Sequence, residues 1–387
     1  MTPSPDAAPS ELLLIIAGAK GAVASTVAAA AAVLAKEPEA LLPSLTTADK
    51  FACLGPSQAI RIAGWDRNTG SMTEAIARHG VLPDNLWARH GRELDDLLIL
   101  QAPDPASDLR SQVKRLGEDI RTFRNLHPQC RPIFVNLLPA SACQNLSKCS
   151  SLAHLYTDCV NAAFPDMAYT LAAIMSGVPV VNFSSNEVEI PLILREAADV
   201  GVPMCGRDGK TGQTYLKVVL ASALKARNLF IDGWYSLNIL GNADGENLAD
   251  PVRAAGKLRN KTELLDEILG YRVGERYGAP AHKVHIDYYP PRGDAKESWD
   301  AIDFTGLFGL PMSLRLNLQG RDSILAAPLV LDLARWMAAL QRAGRSGPVP
   351  ELAFFFKKPV GDGAPVTFQE QVHALTELER LCERTPL

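Results

Sequence analysis

The chain opens its regular pattern with an unbroken apolar run, Leu12 to Ala17, followed by a glycine-containing turn and the alanine-rich stretch Gly21 to Ala35. A short continuous apolar run suits a parallel strand covered on both faces, and the stretch behind it suits a buried helix. Ala59 to Trp65 predicts a second strand. Leu109 to Leu126 places Leu109, Val113, Leu116, Ile120 and Phe123 at helical spacing. Pro132 to Leu138 predicts a strand, Asp166 to Ser176 a helix, and Val178 to Phe183 a strand again. Strands alternating with helices predict an α/β fold built on a doubly wound, Rossmann-like parallel sheet.

From about Thr214 the rhythm changes. A helix at Thr214 to Ala226 precedes the strand-like run Leu229 to Leu240, then a polar segment and a helix from about Lys261 to Leu269. Three strand-like runs follow, Lys283 to Tyr289, Trp299 to Gly306 and Met312 to Leu318. The last sets Leu314, Leu316 and Leu318 against Ser313, Arg315 and Asn317. Several strands joined by short turns predict an antiparallel or mixed sheet with helices on one face. The expected organisation is a loose tail over residues 1–10 and a nucleotide-binding domain over 11–213 and 323–387. An α+β domain over 214–322 is inserted into it. Helices at Ser323 to Arg342 and Gln369 to Arg384 return to the first domain.

Length agrees with two domains, since 387 residues exceed one compact core. A net charge of −4 and a pI of about 6.0 argue against a nucleic-acid-binding surface. No membrane span is expected in the apolar stretch Leu12 to Ala35, because Gly18, Lys20 and Gly21 interrupt it. Asp6 and Glu11 stand where a signal peptide carries basic residues. The seven cysteines are scattered without a CxxC pair, so reduced thiols in a cytoplasmic protein are the expectation. His282 and His285 lie in a predicted strand, where their rings project to opposite faces, which argues against a shared metal.

Candidate chemistry begins at the turn after the first strand, Ala17-Gly18-Ala19-Lys20-Gly21. Glycines let a backbone approach a pyrophosphate, and the helix start behind them attracts its charge. Gly18, Ala19, Lys20 and Gly21 are therefore candidate cofactor-binding residues. Only Gly18 and Gly21 fit GxGxxG, so a tight β–α turn without ligand is the alternative. The second strand ends at Gly64-Trp65-Asp66. The Asp66 carboxylate can accept hydrogen bonds from a ribose diol, or can serve as a turn residue or helix cap. It lies beyond the usual separation of about 20 residues, which implies a long excursion between the strands.

Further segments carry the more specific signal. They are Gly206-Arg207-Asp208-Gly209-Lys210-Thr211-Gly212-Gln213-Thr214, then Leu240-Gly241-Asn242-Ala243-Asp244-Gly245-Glu246-Asn247-Leu248. Lys257, Lys261, Gly293-Asp294-Ala295-Lys296, Gly320-Arg321-Asp322-Ser323 and Phe356-Lys357-Lys358-Pro359 follow. In this order they resemble the GDDFKSGQT, LGNNDGxNL, GDSK and LKAP signatures of the myo-inositol-1-phosphate synthase family. The resemblance covers nearly the whole chain.

The resemblance implies tightly held NAD and isomerising cyclisation of glucose 6-phosphate to an inositol phosphate. In that reaction C5 is oxidised, C6 is deprotonated and attacks the C1 aldehyde, and the C5 ketone is reduced again. It also implies the lysine roles. Lys257 moves the proton at C5, Lys296 and Lys357 stabilise developing oxyanions, and Lys261 holds the phosphate together with Thr211, Gly212, Gln213 and Thr214. The turn at 211–214 also opens a helix, where backbone N–H groups favour an anion. Asn242, Asp244 and Asp294 orient sugar hydroxyls or lysines, and Asp208 and Asp322 lie near the nicotinamide. The inserted domain is then catalytic and oligomerising, the assembly a homotetramer, and the partner a sugar phosphate. A monovalent or divalent cation is compatible with the resemblance, and no metal ligands are assigned.

The sequence departs from the family at Arg207, where an acidic pair is usual, at the 182–188 loop, and in lacking the first dinucleotide glycine beside Ala17. A cyclase acting on fructose 6-phosphate shares every named lysine. A polyol dehydrogenase would accumulate NADH. A dead NAD-binding scaffold would have lost some of the lysines, and a Schiff-base aldolase leaves the nucleotide fold unexplained.

Overall fold

The computed structural model describes residues 11–41, 50–54, 60–142, 146, 149–157 and 165–384, without the side chains of 40, 41, 52, 257, 259, 261 and 262. The tail expected at 1–10 lies outside the described residues. The strands are β1 (Glu11–Ala17), β2 (Ile60–Asp66), β3 (Leu98–Gln101), β4 (Cys130–Asn136), β5 (Val180–Asn182) and β6 (Pro203–Gly206). They continue as β7 (Phe230–Leu240), β8 (His282–Tyr288), β9 (Ala295–Thr305), β10 (Pro311–Arg321) and β11 (Gly347–Pro348).

Seven of them form one parallel sheet in the order β11-β6-β5-β4-β1-β2-β3. The sheet is covered on both faces, and β1 shows why the run Leu12 to Ala17 is wholly apolar. Leu14 and Ile16 pack under helices Ala22–Lys36 and Asp322–Arg342. Leu13 and Ile15 pack under helices Leu109–Leu126, Pro165–Met175 and Pro191–Val200. All four side chains are fully buried, each contributing about 2 kcal/mol. At Gly64 of β2 a Cβ would stand 2.1 Å from the Ile16 carbonyl oxygen, so only glycine lets the two strands lie this close. Helix Asp322–Arg342 is long and apolar enough to cross a membrane, but 83% of its most apolar window is buried, as in a core helix.

The other four strands form a mixed sheet, β10-β9-β7-β8, antiparallel except for the β7–β8 pair. Helices Gly212–Ala226 and Pro251–Leu269 pack on its inner face around Trp234 and Ile302. Helix Pro251–Leu269 begins ten residues before the expected start at Lys261. Its early part opens with Asp250 as N-cap and Pro251 in the first turn, which start a helix without an apolar stripe. After the second sheet the chain re-enters the first, helix Asp322–Arg342 contacting β1, β4, β5 and β6.

The expectation of reduced thiols throughout needs correction. Cys53, Cys130, Cys205 and Cys382 are free, whereas Cys149 is disulfide-bonded. Scattered spacing says nothing about which thiols the fold brings together, and that is why the sequence missed it.

Candidate active site

The strand order reverses between β1 and β4, and a cavity of about 670 Å³ opens there outside the carboxyl ends of the strands. This is the position where doubly wound sheets bind nucleotides. Gly18, Lys20 and Gly21 line it together with Asp66. Gly18 has φ +80°, a left-handed conformation, and a Cβ there would lie 3.1 Å from the Leu137 carbonyl oxygen. The turn is held from β2, because the N–H groups of Gly18 and Ala19 both donate to the Trp65 carbonyl at 3.0 Å. Ala19 is buried and supports the turn without lining the cavity.

Asp66 Oδ2 accepts from the Lys20 N–H at 2.7 Å and Oδ1 from the Asn68 N–H at 2.8 Å. Each oxygen keeps a second lone pair for a ribose hydroxyl. The Lys20 ammonium is not free for phosphate, since Nζ donates to the carbonyls of Asn68 and Gly70.

Local pattern did not single out Asp166, a fully buried carboxyl on the cavity wall. Burial pushes its pKa up, opposed by hydrogen bonds from Asn136 and Asn186. Asn136 also donates to Asn182 at 3.0 Å, and Asn182 donates to Glu189 at 2.7 Å. Arg207 reaches Glu187 at 2.8 Å and Glu189 at 3.7 Å. Burial raises Glu189 to about 7, with Arg207 opposing. The altered 182–188 loop therefore supplies the countercharge to the unusual arginine.

The segment from Asp208 to Gln213 lies against two of the candidate lysines, Lys357 and Lys296. Asp208, at φ 62°, accepts from Lys357 Nζ at 2.5 Å and from Asn260 Nδ2 at 3.1 Å. Lys357 and Asp208 are both buried, and the lysine arrives from the returning C-terminal part of the chain. Asn260 sits on helix Pro251–Leu269, which also carries Lys257 and Lys261. The side chains of those two lysines lie outside the described residues. Lys296 donates to Asp322 Oδ2 at 2.9 Å, and Thr211 Oγ1 donates to Asp322 Oδ1 at 3.2 Å. Asp208 and Asp322, expected beside the nicotinamide, are lysine partners, and neither lines the cavity at the strand reversal.

Asn242 caps its short helix by accepting from the Gly245 N–H, and its amide donates to Asp294 at 3.0 Å. Burial raises the Asp294 pKa, and the nearby Asp322 charge adds to this while Arg321 and His79 oppose it. His79 lines the cavity at the strand reversal and bonds the Lys20 carbonyl through Nε2 at 2.9 Å. A carbonyl only accepts, so Nε2 carries the proton. Asp294 therefore lies between that cavity, on the His79 side, and the Lys296–Asp322 pair. Asp244 is half-buried on the helix that Asn242 caps.

Helix Gly212–Ala226 starts beside Lys296 with no side-chain cap on its first turn. Its N-cap residue, Thr211, is turned to Asp322 instead. Gln213 turns its side chain away from the helix start. Its amide points inward and donates to Asp300 at 2.8 Å, which leaves its backbone N–H at the open helix start. Thr214 is buried behind it. The cleft between Gly212, Lys296 and Asp322 holds about 10 Å³, the room of a single water.

Two buried lysines escaped the sequence reading. Lys210 donates to the Ala353 carbonyl and to Gln371, and burial, then the Lys357 charge, lowers it to about 7. Lys217 contacts Ser236 and His282, and burial lowers it to about 8. His282 is engaged there while His285 lies against the Tyr235 ring, so the two histidines face different partners as expected. Among the described residues no three His, Cys, Asp or Glu side chains are grouped to hold a metal ion.

Residues 212–323 match the myo-inositol-1-phosphate synthase family. Inositol-3-phosphate synthase 1 of Bacteroides thetaiotaomicron is 44% identical over 200 residues, which cover 51% of this chain and 47% of that protein. The human inositol-3-phosphate synthase 1 is 28% identical over 347 residues, covering 78% of this chain and 60% of the relative. The chain thus spans about half to three-fifths of the length of these relatives. A crystal structure of inositol-3-phosphate synthase from Caenorhabditis elegans superposes with a TM-score of 0.85 at 20% identity, over 98% of this chain and 87% of that one. A myo-inositol-1-phosphate synthase-related protein from Thermotoga maritima gives 0.76 at 19% identity, over 97% and 100%. These two likenesses establish a shared fold.

Proposed function

We propose that this relative of the myo-inositol-1-phosphate synthases is an NAD-dependent cyclase that converts glucose 6-phosphate into an inositol phosphate. One arrangement carries the reading: Lys357 and Lys296 are fixed by carboxylates at the two ends of the Asp208–Thr211 segment, next to a nucleotide cavity. The cavity suits a dinucleotide, because Gly18 leaves open the space a Cβ would fill and Asp66 retains acceptor capacity. When bound, the nicotinamide supplies reversible hydride acceptance.

The chain's own residues do the rest. The first-turn N–H groups of helix Ala22–Lys36 face the pyrophosphate, and Gly18, without a Cβ, lets it come close. The open first turn of helix Gly212–Ala226 binds the substrate phosphate, with Lys261 as its countercharge. Lys296 and Lys357 hold positive charge where oxygen becomes anionic, in a site too dry for water to screen it. Asp208 and Asp322 keep those ammonium groups in place until substrate displaces them. Lys257, four residues from Lys261 on one helix face, carries the proton at C5.

Assembly as a homotetramer belongs to the same reading. Leu307, Phe308 and Leu310 at the β9–β10 turn are 80%, 86% and 62% exposed, more apolar surface than an isolated turn commonly shows. Light scattering of the purified protein reports the mass. Purified protein given glucose 6-phosphate and NAD should yield a cyclitol phosphate by NMR, with no net NADH absorbance. Steady NADH accumulation, or an unchanged sugar phosphate, overturns the assignment.

A further inference from the structure

The open helix start depends on what its own side chains do. An N-cap threonine ordinarily fills the anion position by accepting from the first-turn N–H groups. Here Thr211 is drawn away to Asp322, and Gln213 is drawn inward to Asp300. Two carboxylates thus clear the turn from opposite sides. Each would repel a phosphate unless balanced, and each has a lysine: Lys296 on Asp322, and Lys217 in electrostatic range of Asp300.

Asp300 is built for this task. It lies on β9, 3% exposed, and Oδ1 accepts from Trp234 Nε1 at 2.7 Å and from Ser236 Oγ at 2.6 Å. That leaves Oδ2 aimed at the Gln213 amide. Ser236 in turn receives Lys217 Nζ at 3.1 Å, and Lys217 lies 2.7 Å from His282 Nε2. Lys217 is on the same helix as Gln213, one turn further along. The network pins that first turn to the second sheet at two points.

We infer that Asp300, with Lys217 as its countercharge, is a positioning residue that holds Gln213 inward and keeps the backbone N–H groups of the Gly212–Thr214 turn open for the phosphate of the substrate. This rests on the proposed sugar-phosphate site and assigns a role to a residue that touches no substrate atom.

The test uses the full chain and calorimetric titration with inorganic phosphate and with glucose 6-phosphate. Asp300→Ala removes the anchor and should weaken both about tenfold. Asp300→Asn should bind within threefold of wild type, because Gln213 can turn its amide and accept from Asn Nδ2. Gln213→Glu sets two carboxylates face to face and should weaken phosphate about tenfold. Adding Asp300→Asn to it restores one donor and one acceptor at unchanged net charge and should recover binding. A merely structural role would shift thermal midpoints without this reversal. The inference is overturned if Asp300→Ala and Gln213→Glu bind phosphate like wild type, or if the double variant fails to recover. Should Asp300→Ala not fold, the Gln213→Glu pair decides alone. Wild-type protein that binds neither ligand refutes the phosphate site itself, a separate and distinguishable result.

Discussion

Lys210 offers a direct measure of how far the site interior departs from water. Its folded pKa is about 7 against an ordinary 10.5, so below pH 7 the native state carries a buried ammonium at a cost. Between pH 7 and 10.5 the unfolded chain binds the extra proton and the native state does not. Stability attributable to Lys210 therefore rises with pH across that window, by at most about 5 kcal/mol. Over the accessible range pH 7 to 9 the share is about 2 kcal/mol, and Lys217, lowered to about 8, adds about 1 kcal/mol in the same direction. Lys210→Met removes the first share only. The variant also leaves the Ala353 carbonyl and Gln371 without their donor, costing about 1–3 kcal/mol at every pH. The slope with pH, rather than the absolute stability, is the readout. Urea unfolding followed by tryptophan fluorescence at pH 7, 8 and 9 gives it for both proteins. Wild type and variant rising in parallel would show that Lys210 keeps its charge when folded, and the argument from burial would fail.

Other outcomes follow from the same geometry. Lys296→Ala should abolish cyclisation while dinucleotide binding, measured by equilibrium dialysis, stays at wild-type strength; turnover near wild type refutes the lysine's role. Gly18→Ala forces a side chain into the left-handed region at about 1–2 kcal/mol and crowds Leu137, so dinucleotide affinity should fall about tenfold. Lys357→Met strands the buried Asp208 carboxylate at about 3–5 kcal/mol, and Asp208→Asn in the same chain should return most of that loss in thermal melts. Arg207→Asp gathers three carboxylates with Glu187 and Glu189 and should make turnover depend on an added cation. The same cation dependence in wild type and variant counts against it.

Helix Leu109–Leu126 was legible to the residue, because its five buried side chains are the five apolar residues at helical spacing. β3, β6 and β11 were not, being four, four and two residues long with no room for a pattern. In the site, Gly18, Asp66, Lys296 and Lys357 stand in recognisable local strings, although Lys357 meets its partner Asp208 from 149 residues away. Lys210, Lys217 and Asp166 stand in strings that look like any helix start or loop. What buries them arrives from far along the chain: Gln371 for Lys210, His282 for Lys217, and Asn136 with Asn186 for Asp166. A single sequence reports local periodicity well and remote enclosure poorly, so the charges that the fold perturbs most were the ones it hid.

The return of the chain to its first sheet has a consequence for biogenesis. Strands β1 to β6 are synthesised before residue 207, yet one face of that sheet, with Leu14 and Ile16, is roofed by a helix that begins at Asp322. During translation this oily surface must wait for more than a hundred further residues to emerge. A ribosome-stalled fragment ending near residue 213 should accordingly bind hydrophobic dye and recruit holding chaperones, since vectorial synthesis leaves it half-clothed.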